Sequence, residues 1–391
     1  MSLFSSIYNK TALKICCVLI SGLLVSGSYA QPPNAGSDQP QPQKESRHRR
    51  ARPQDPENQD PAQNQNPPAP NQPGQNQPQP GNPPGFAGNQ KPGIPQASLE
   101  QLLQKAAPAE PVPLNQPDFV TEDQVQLKGT YYKGSASEET AIVILLHNRG
   151  GKKDDMQPLA KVLAEKGFAV LVPDLRGHGE SVNRSVADYS YGNRPNRRPS
   201  NNYIYQNFTA EDYQGMVYYD EALWFTFLRS LHNMKMINAR KMFLIGNDFG
   251  ATVAVNWARV DWDLKPSQGG HLVKGIVLLS PTAEGELGCL DSLTELKKNS
   301  GEINFLMAAG GQNPEKKESY ELIEKKIIGK NANPNKPKKN FAALLDTEKQ
   351  GTDLINIVSF GVVDSIMNFM LTKMQSLSSR DQEWKEFKIK N

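Results

Sequence analysis

The chain has 391 residues, and its 44 basic and 41 acidic side chains give a formal net charge of only +3. Residues 31–115 are neutral and residues 116–391 are nearly so, which argues against a nucleic-acid-binding surface. Two of the three cysteines lie in the first 30 residues, so Cys289 is left as a single thiol. An internal disulfide or a cysteine-based zinc site after residue 30 is therefore excluded. No motif predicts a cofactor or a metal.

Residues 1–30 have the layout of a secretory signal peptide. Lys10 and Lys14 precede an apolar run over 15–25, and the small residues Ser28 and Ala30 follow it. The run is shorter than the roughly 20 residues that a membrane-spanning helix needs. We therefore expect cleavage after Ala30, no transmembrane segment afterwards, and an exported protein in the periplasm, the envelope or the medium. An uncleaved anchor is the alternative.

Residues 31–115 have the composition of a disordered tether. The stretch 31–100 contains 17 of the 30 prolines, and Pro, Gln and Asn fill 39 of its 70 positions. Such a segment has too little apolar surface to build a core. As a flexible coil it would span about 50 Å, and as polyproline II about 260 Å. A basic cluster at 47–50 leaves open a second role, which is binding to an anionic polymer.

From residue 116 onward, strand and helix patterns alternate. Short continuous apolar runs such as 141–146 are typical of strands buried on both faces. In chain order the patterns predict a hairpin over 120–133, strands over 141–146, 168–172, 241–245, 273–279 and 303–309, and helices over 154–166, 209–231 and 251–259. They indicate an α/β domain over 116–391, with a mostly parallel central sheet flanked by helices. Ligands of such folds gather at the carboxyl ends of the strands.

Three motifs stand where predicted strands end. They are Leu-His-Asn-Arg-Gly-Gly at 146–151, Asp-Leu-Arg-Gly-His-Gly-Glu-Ser at 174–181, and Gly-Asn-Asp-Phe-Gly at 246–250. In this order and spacing they resemble the α/β-hydrolase superfamily over residues 120–374. The resemblance implies the α/β-hydrolase fold. Only 22 residues separate Ser280 from Ile303, so we expect no large cap domain there.

The third motif resembles the nucleophile elbow of that superfamily, which is a sharp turn between a strand and a helix. Gly246 and Gly250 match its two glycines, and Asp248 occupies the nucleophile position, where Ser is usual. By position, the backbone N–H groups of Arg149 and Phe249 match the oxyanion hole, the donor pair that stabilises a developing negative charge.

The other two members of the family's catalytic triad are also replaced. Gln350 stands at the position of the base, and a carboxamide cannot act as a general base. Asn313 stands at the position of the acid. An acid relocated to the loop after the preceding strand is possible in this family, with Glu284, Glu286 and Asp291 as candidates. The chain has five histidines, none of them in the C-terminal region where the base belongs: His48, His147, His178, His232 and His271.

Asp248 has two interpretations. In the haloalkane dehalogenases and epoxide hydrolases, which belong to this superfamily, an Asp attacks carbon and a His-activated water cleaves the resulting ester. Alternatively, Asp248 only stabilises a helix N-terminus, where a negative charge contributes about 0.3–1 kcal/mol. The missing base and the absence of a large cap favour the second interpretation.

A segment over 182–208, rich in Arg, Asn and Tyr, follows the carboxyl end of a predicted strand. We expect it to overhang the pocket, either as a ligand-binding loop that uses ring stacking and anion contacts or as a solvated insertion. Its candidate pocket residues are Arg194, Arg197, Arg198, Tyr203 and Tyr205.

The sequence therefore favours an exported, tethered α/β-hydrolase-fold domain whose triad has degenerated to Asp248, Asn313 and Gln350. Such a domain would bind or scaffold an unknown small molecule or an envelope component, and it would not bind nucleic acid. The alternative is an active hydrolase of esters, amides, halides or epoxides that uses Asp248 as its nucleophile. Fold alone does not choose between these functions, because function depends on the site.

Overall fold

The computed structural model describes the following residues, all within one compact unit: 96–116, 119–188, 196–200, 203–299, 302–328 and 339–387. Residues 1–95 lie outside the described residues, and with them the predicted signal peptide, the basic cluster and most of the predicted tether.

The strands of the described residues are β1 (Val112–Leu114), β2 (Val125–Gln126), β3 (Gly129–Tyr132), β4 (Ala141–Leu146), β5 (Ala169–Pro173), β6 (Asn183–Asp188), β7 (Asn196–Ser200), β8 (Asn238–Asn247), β9 (Val273–Leu279), β10 (Asn304–Gly310) and β11 (Phe341–Leu345). Within the described part, eight of them form one sheet in the order β1-β3-β5-β4-β8-β9-β10-β11. The six strands from β5 to β11 run parallel, whereas β3 is antiparallel to both of its neighbours. The predicted mostly parallel sheet is confirmed.

Helices cover both faces of this sheet. They are α1 (Gln96–Lys105), α2 (Gln157–Glu165), α3 (Ala210–Gly215), α4 (Glu221–Asn233), α5 (Phe249–Asp263), α6 (Cys289–Asn299), α7 (Pro314–Ile327), α8 (Val362–Gln375) and α9 (Ser379–Gln382). Apolar side chains of α2 and α8 share one core, and those of α4, α5, α6 and α7 share the other. Strand β4 supplies Ile142 and Ile144 to one core and Val143 to the other. This double burial explains its unbroken apolar sequence.

The five predicted strands are confirmed, with ends that differ by no more than three residues. The predicted helix over 251–259 lies within α5, and the helix over 154–166 is a short 3-10 turn, Lys153–Met156, followed by α2. The helix predicted over 209–231 consists of α3, a π-helical turn at Met216–Asp220, and α4. Hydrophobic periodicity does not report such a local change of winding.

The prediction of one hairpin over 120–133 is wrong. Val120 bridges only to Gln126, strand β2 pairs with β6, and β3 joins the central sheet between β1 and β5. Tyr131 and Tyr132 explain the difference, because both are fully buried and they lie in opposite cores. Only a strand covered on both faces can bury two consecutive side chains in this way.

The start of the folded domain at residue 116 is also wrong. Helix α1 and strand β1 fall within the segment predicted as a tether, and β1 pairs with β3 in the central sheet. Leu103, Val112 and Leu114 are buried. The boundary was misplaced because Pro108, Pro111 and Pro113 continue the proline spacing of the tether, although an edge strand tolerates proline.

A buried ionic cluster connects the loop after β5 to the π-helical turn. The guanidinium of Arg176 is fully buried and donates to the carboxylates of Asp220 and Asp123. Burial raises the pKa of Asp220 to about 6 against the opposing effect of Arg176. The adjacent Glu221 is buried at the start of α4, and burial raises its pKa to about 8.

The segment between β9 and β10 contains α6, and no large cap domain follows β9 in the described residues, as expected. Cys289, the first residue of α6, is buried, and burial raises the pKa of its thiol to about 12. None of the helices in the described ranges is long and apolar enough to span a membrane.

Candidate functional site

The turn between β8 and α5 has the geometry of a nucleophile elbow. Asp248 adopts φ 51° and ψ −110°, a combination that is strained for a residue with a side chain. A Cβ on Gly246 would lie 2.3 Å from the carbonyl oxygen of Gly250, and one on Gly250 would lie 2.3 Å from that of Leu146. Only glycine fits at either position, so the turn forces Asp248 outward at the carboxyl end of the sheet.

The carboxylate of Asp248 is bound by two side chains from other elements. Its Oδ1 accepts hydrogen bonds from the Thr282 hydroxyl at 2.5 Å and from Lys316 Nζ at 2.6 Å. Lys316 Nζ also lies 2.8 Å from the Thr282 hydroxyl. These three side chains, which we term the Asp248 cluster, form a charge-assisted network that offsets the negative charge of the elbow.

Helix α7 positions Lys316 within this cluster. Asn313 is the N-cap of α7, and its Oδ1 accepts a hydrogen bond from the Lys316 backbone N–H at 3.1 Å. The residue at the predicted acid position therefore caps a helix and bonds to backbone.

The predicted base position does not contact Asp248. Gln350 Oε1 accepts from the Ser280 hydroxyl at 2.7 Å and from the Gly310 N–H at 3.2 Å, while Nε2 donates to the Gly310 carbonyl at 3.0 Å. Its amide thus joins the carboxyl ends of β9 and β10. Asp248 and Gln350 line the same cleft, of about 470 Å³, but the structure does not join Asp248, Asn313 and Gln350 into a hydrogen-bonded triad.

No described histidine contacts the Asp248 cluster. The ring of His147 accepts from the Leu175 N–H at Nε2 and donates to a backbone carbonyl at Nδ1. His178 donates to the Arg176 carbonyl at Nδ1, and burial lowers its pKa to about 4. His232 and His271 lie elsewhere, stacked on Trp384 and Trp262, and His48 lies outside the described residues.

The predicted oxyanion residues lie side by side. The Arg149 guanidinium stands over the Phe249 ring, 4.7 Å from its centroid, and donates two hydrogen bonds to the Glu286 carboxylate at 2.9 and 2.5 Å. Arg149 lowers the pKa of Glu286 to about 2. Glu286, one of the three candidates for a relocated acid, is therefore already bound to Arg149. The other two candidates, Glu284 and Asp291, are exposed and line neither cleft.

The described part of the segment predicted as a pocket loop contains two antiparallel strands. Strands β6 and β7 pair with each other and with β2 in a small three-stranded sheet. Arg197 and Arg198 belong to β7, and Arg194 lies outside the described residues. Tyr203 donates to the Asp212 carboxylate at 2.8 Å and does not line either cleft.

Tyr205, another member of the predicted set, lines a cleft. Its ring stacks on His178 with centroids 4.4 Å apart, and it forms part of a second, larger cleft of about 650 Å³ beside Arg149. Sequence reasoning missed Thr282 and Lys316, which lie 34 and 68 positions from Asp248. No local motif announces either contact.

Comparison with known proteins agrees with this geometry. Residues 141–315 match the family described as alpha/beta hydrolase fold. The match confirms the predicted resemblance to the α/β-hydrolase superfamily and the predicted fold class. No curated protein sequence matches it.

Similar solved structures share little sequence with the chain. The esterase Pf2001 of Pyrococcus furiosus is 17% identical over 74% of this chain and 97% of its own, with a TM-score of 0.44. DcsB, solved in complex with its substrate analogue, is 16% identical over 67% and 99%, with a TM-score of 0.41. A dienelactone hydrolase from Anabaena variabilis is 13% identical over 67% and 98%, with a TM-score of 0.40. At these values no activity can be transferred.

Proposed function

We propose that this domain is a non-catalytic binding or scaffolding protein built on the α/β-hydrolase fold. The observation that supports the proposal is the Asp248 cluster. A nucleophilic carboxylate attacks carbon with its negative charge, and here Thr282 and Lys316 both donate hydrogen bonds to Oδ1 of the Asp248 carboxylate. Their two donors lower the negative charge available for attack.

In the described part of the chain, no base lies beside Asp248 for the second half of the reaction. Release of an ester on Asp248 would require a group that removes a proton from water. Lys316, as the ammonium partner of a carboxylate, has three donors and no acceptor, and Gln350 is an amide. An Asp248 ester would therefore persist once formed.

The strained elbow favours the alternative function, an active hydrolase of esters, amides, halides or epoxides. To separate the two, the protein is incubated with small haloalkanes, epoxides and aryl esters, followed by product analysis and intact mass spectrometry. We expect neither turnover nor an adduct in the wild type and in Asp248→Ala. Sustained turnover that Asp248→Ala abolishes would refute the proposal, and a stoichiometric adduct on Asp248 would identify a nucleophile without a base.

Export forms part of the proposal and rests on residues 1–30. Ser28 and Ala30 are the small pair that follows the apolar run, so the mature chain should begin at Gln31. Intact-mass analysis of the exported protein measures the residue at which the mature chain begins. A mature chain that retains Lys10 would indicate an anchor.

A further inference from the structure

The larger cleft has walls of partly exposed aromatic rings. Tyr205, Phe208, Tyr213 and Tyr218 all line it, and its volume of about 650 Å³ is within the range of small-molecule sites. We term it the aromatic cleft. Asp248 does not line it, so it is distinct from the smaller cleft at the elbow.

The π-helical turn fixes one wall of the aromatic cleft. Val217 and Tyr218 of this turn line the cleft, while Asp220 of the same turn is buried against Arg176. The indole N–H of Trp257 donates to the Met216 carbonyl at 2.9 Å and gives this backbone group a partner outside the helix. Turns of this kind occur mostly as single inserts and frequently at functional sites. The wall is therefore pre-organised.

The charges around the aromatic cleft are balanced in pairs. Arg149 is bound bidentately by Glu286, and Arg259 pairs with Asp263 at 3.3 Å. Arg149, Arg259 and Glu286 are the charged side chains that line the cleft, so within the described residues each of them has a partner of opposite charge. These pairs leave the cleft with little uncompensated charge to attract an anionic or a cationic ligand.

The remaining polar side chains of the aromatic cleft suit hydroxyl groups. Gln206 and Gln214 are exposed and line the cleft, and each carboxamide offers both donors and acceptors. Tyrosine rings add flat apolar faces beside a polar hydroxyl. A ligand that matches both features has apolar C–H faces and a rim of neutral hydroxyl groups.

We infer that the aromatic cleft binds a neutral saccharide, which stacks on Tyr213 and Tyr218 and hydrogen-bonds through its hydroxyl groups to Gln206 and Gln214. The inference rests on the proposed function, since it names the class of ligand that a non-hydrolytic domain would hold. Tyr213 is half-buried and its hydroxyl donates to Glu286, with Arg149 5.8 Å from its ring centroid. Tyr218 is 43% exposed, and its hydroxyl accepts from Arg259.

The test is calorimetric titration of the mature protein with neutral tetrasaccharides (cellotetraose, maltotetraose, mannotetraose and chitotetraose) and with tetragalacturonate as an anionic counterpart. We expect a neutral tetrasaccharide to bind and tetragalacturonate not to bind. Tyr213→Ala and Tyr218→Ala should each weaken binding about tenfold, whereas the corresponding Phe variants, which keep the ring, should stay within about threefold. Phe341→Ala is the matched control, because Phe341 is also 43% exposed but lies outside the cleft.

Three outcomes would overturn the inference: none of the neutral tetrasaccharides binds, tetragalacturonate binds more tightly than they do, or binding is unchanged in both alanine variants. Circular dichroism of each variant excludes a folding defect as the cause of lost binding. Turnover that depends on Asp248 would refute the proposed function and leave the saccharide site intact, so the two failures are distinguishable.

Discussion

The Asp248 cluster yields a prediction that can be worked out from its geometry. At the 2.6 Å that separates Lys316 Nζ from Asp248 Oδ1, the Coulomb attraction is about 1.6 kcal/mol in bulk water and about 6 kcal/mol at an effective dielectric constant of 20. The Lys316 and Asp248 side chains are 17% and 35% exposed, so much of this energy is offset by desolvation and lost side-chain freedom. We expect a net coupling free energy of about 1 kcal/mol.

A double-mutant cycle measures this coupling. Asp248→Asn and Lys316→Met remove one charge each and keep most of the side-chain shape, and urea unfolding of both single variants and the double variant isolates the pair. Each single variant should also lower the melting temperature by about 2 °C. Lys317→Met, on the exposed side of the same helix, should change stability by less than about 0.5 kcal/mol. A coupling below about 0.3 kcal/mol would show that Lys316 does little to neutralise the Asp248 carboxylate and would remove the main support for a non-catalytic site.

Three further predictions concern stability. The pKa of Glu221 is raised from 4.5 to about 8. The contribution of protonated Glu221 to the free energy of unfolding is therefore complete below pH 4.5 and is lost as pH rises through 8. Glu221→Gln should therefore reduce the slope of the free energy of unfolding against pH by up to about 1.4 kcal/mol per pH unit, measured by urea unfolding. Parallel curves for the variant and the wild type would contradict this. Arg176→Met should cost about 3–5 kcal/mol because it leaves Asp220 buried without its cation; a loss below about 1 kcal/mol in urea unfolding would show that the cluster is not formed. Deletion of residues 31–90 should change the melting temperature by no more than about 2 °C. Deletion of residues 31–111 also removes the buried Leu103 and should lower the melting temperature clearly. Equal effects of the two deletions would contradict the corrected domain boundary.

The sequence predicted the parallel core of the fold because the signals there are local. A strand such as β4 is apolar at every position because the sheet buries both of its faces. The glycines of the elbow are equally local, since Gly246 and Gly250 make close contacts that no side chain permits. The α/β-hydrolase fold was therefore predictable from short segments.

The parts that sequence reasoning missed depend on long-range contacts. The π-helical turn is supported by Trp257 and Arg176, which lie far from it in the chain. Lys316 reaches Asp248 only because α7 begins at the carboxyl edge of the sheet. The sequence predicts Gln350 at the position of the base, whereas its hydrogen bonds to two strand ends could be seen only in the structure.

Chemical labelling of the buried Cys289 thiol can be used to measure local opening of the domain. It is the one thiol after residue 30, it is fully buried, and its raised pKa keeps it protonated at neutral pH. A thiol reagent can therefore modify the domain only when α6 moves away from its neighbours. Leu287, two residues before Cys289, lines the aromatic cleft. The labelling rate of Cys289 would therefore measure how often this segment opens, and a ligand bound in the cleft should slow the labelling.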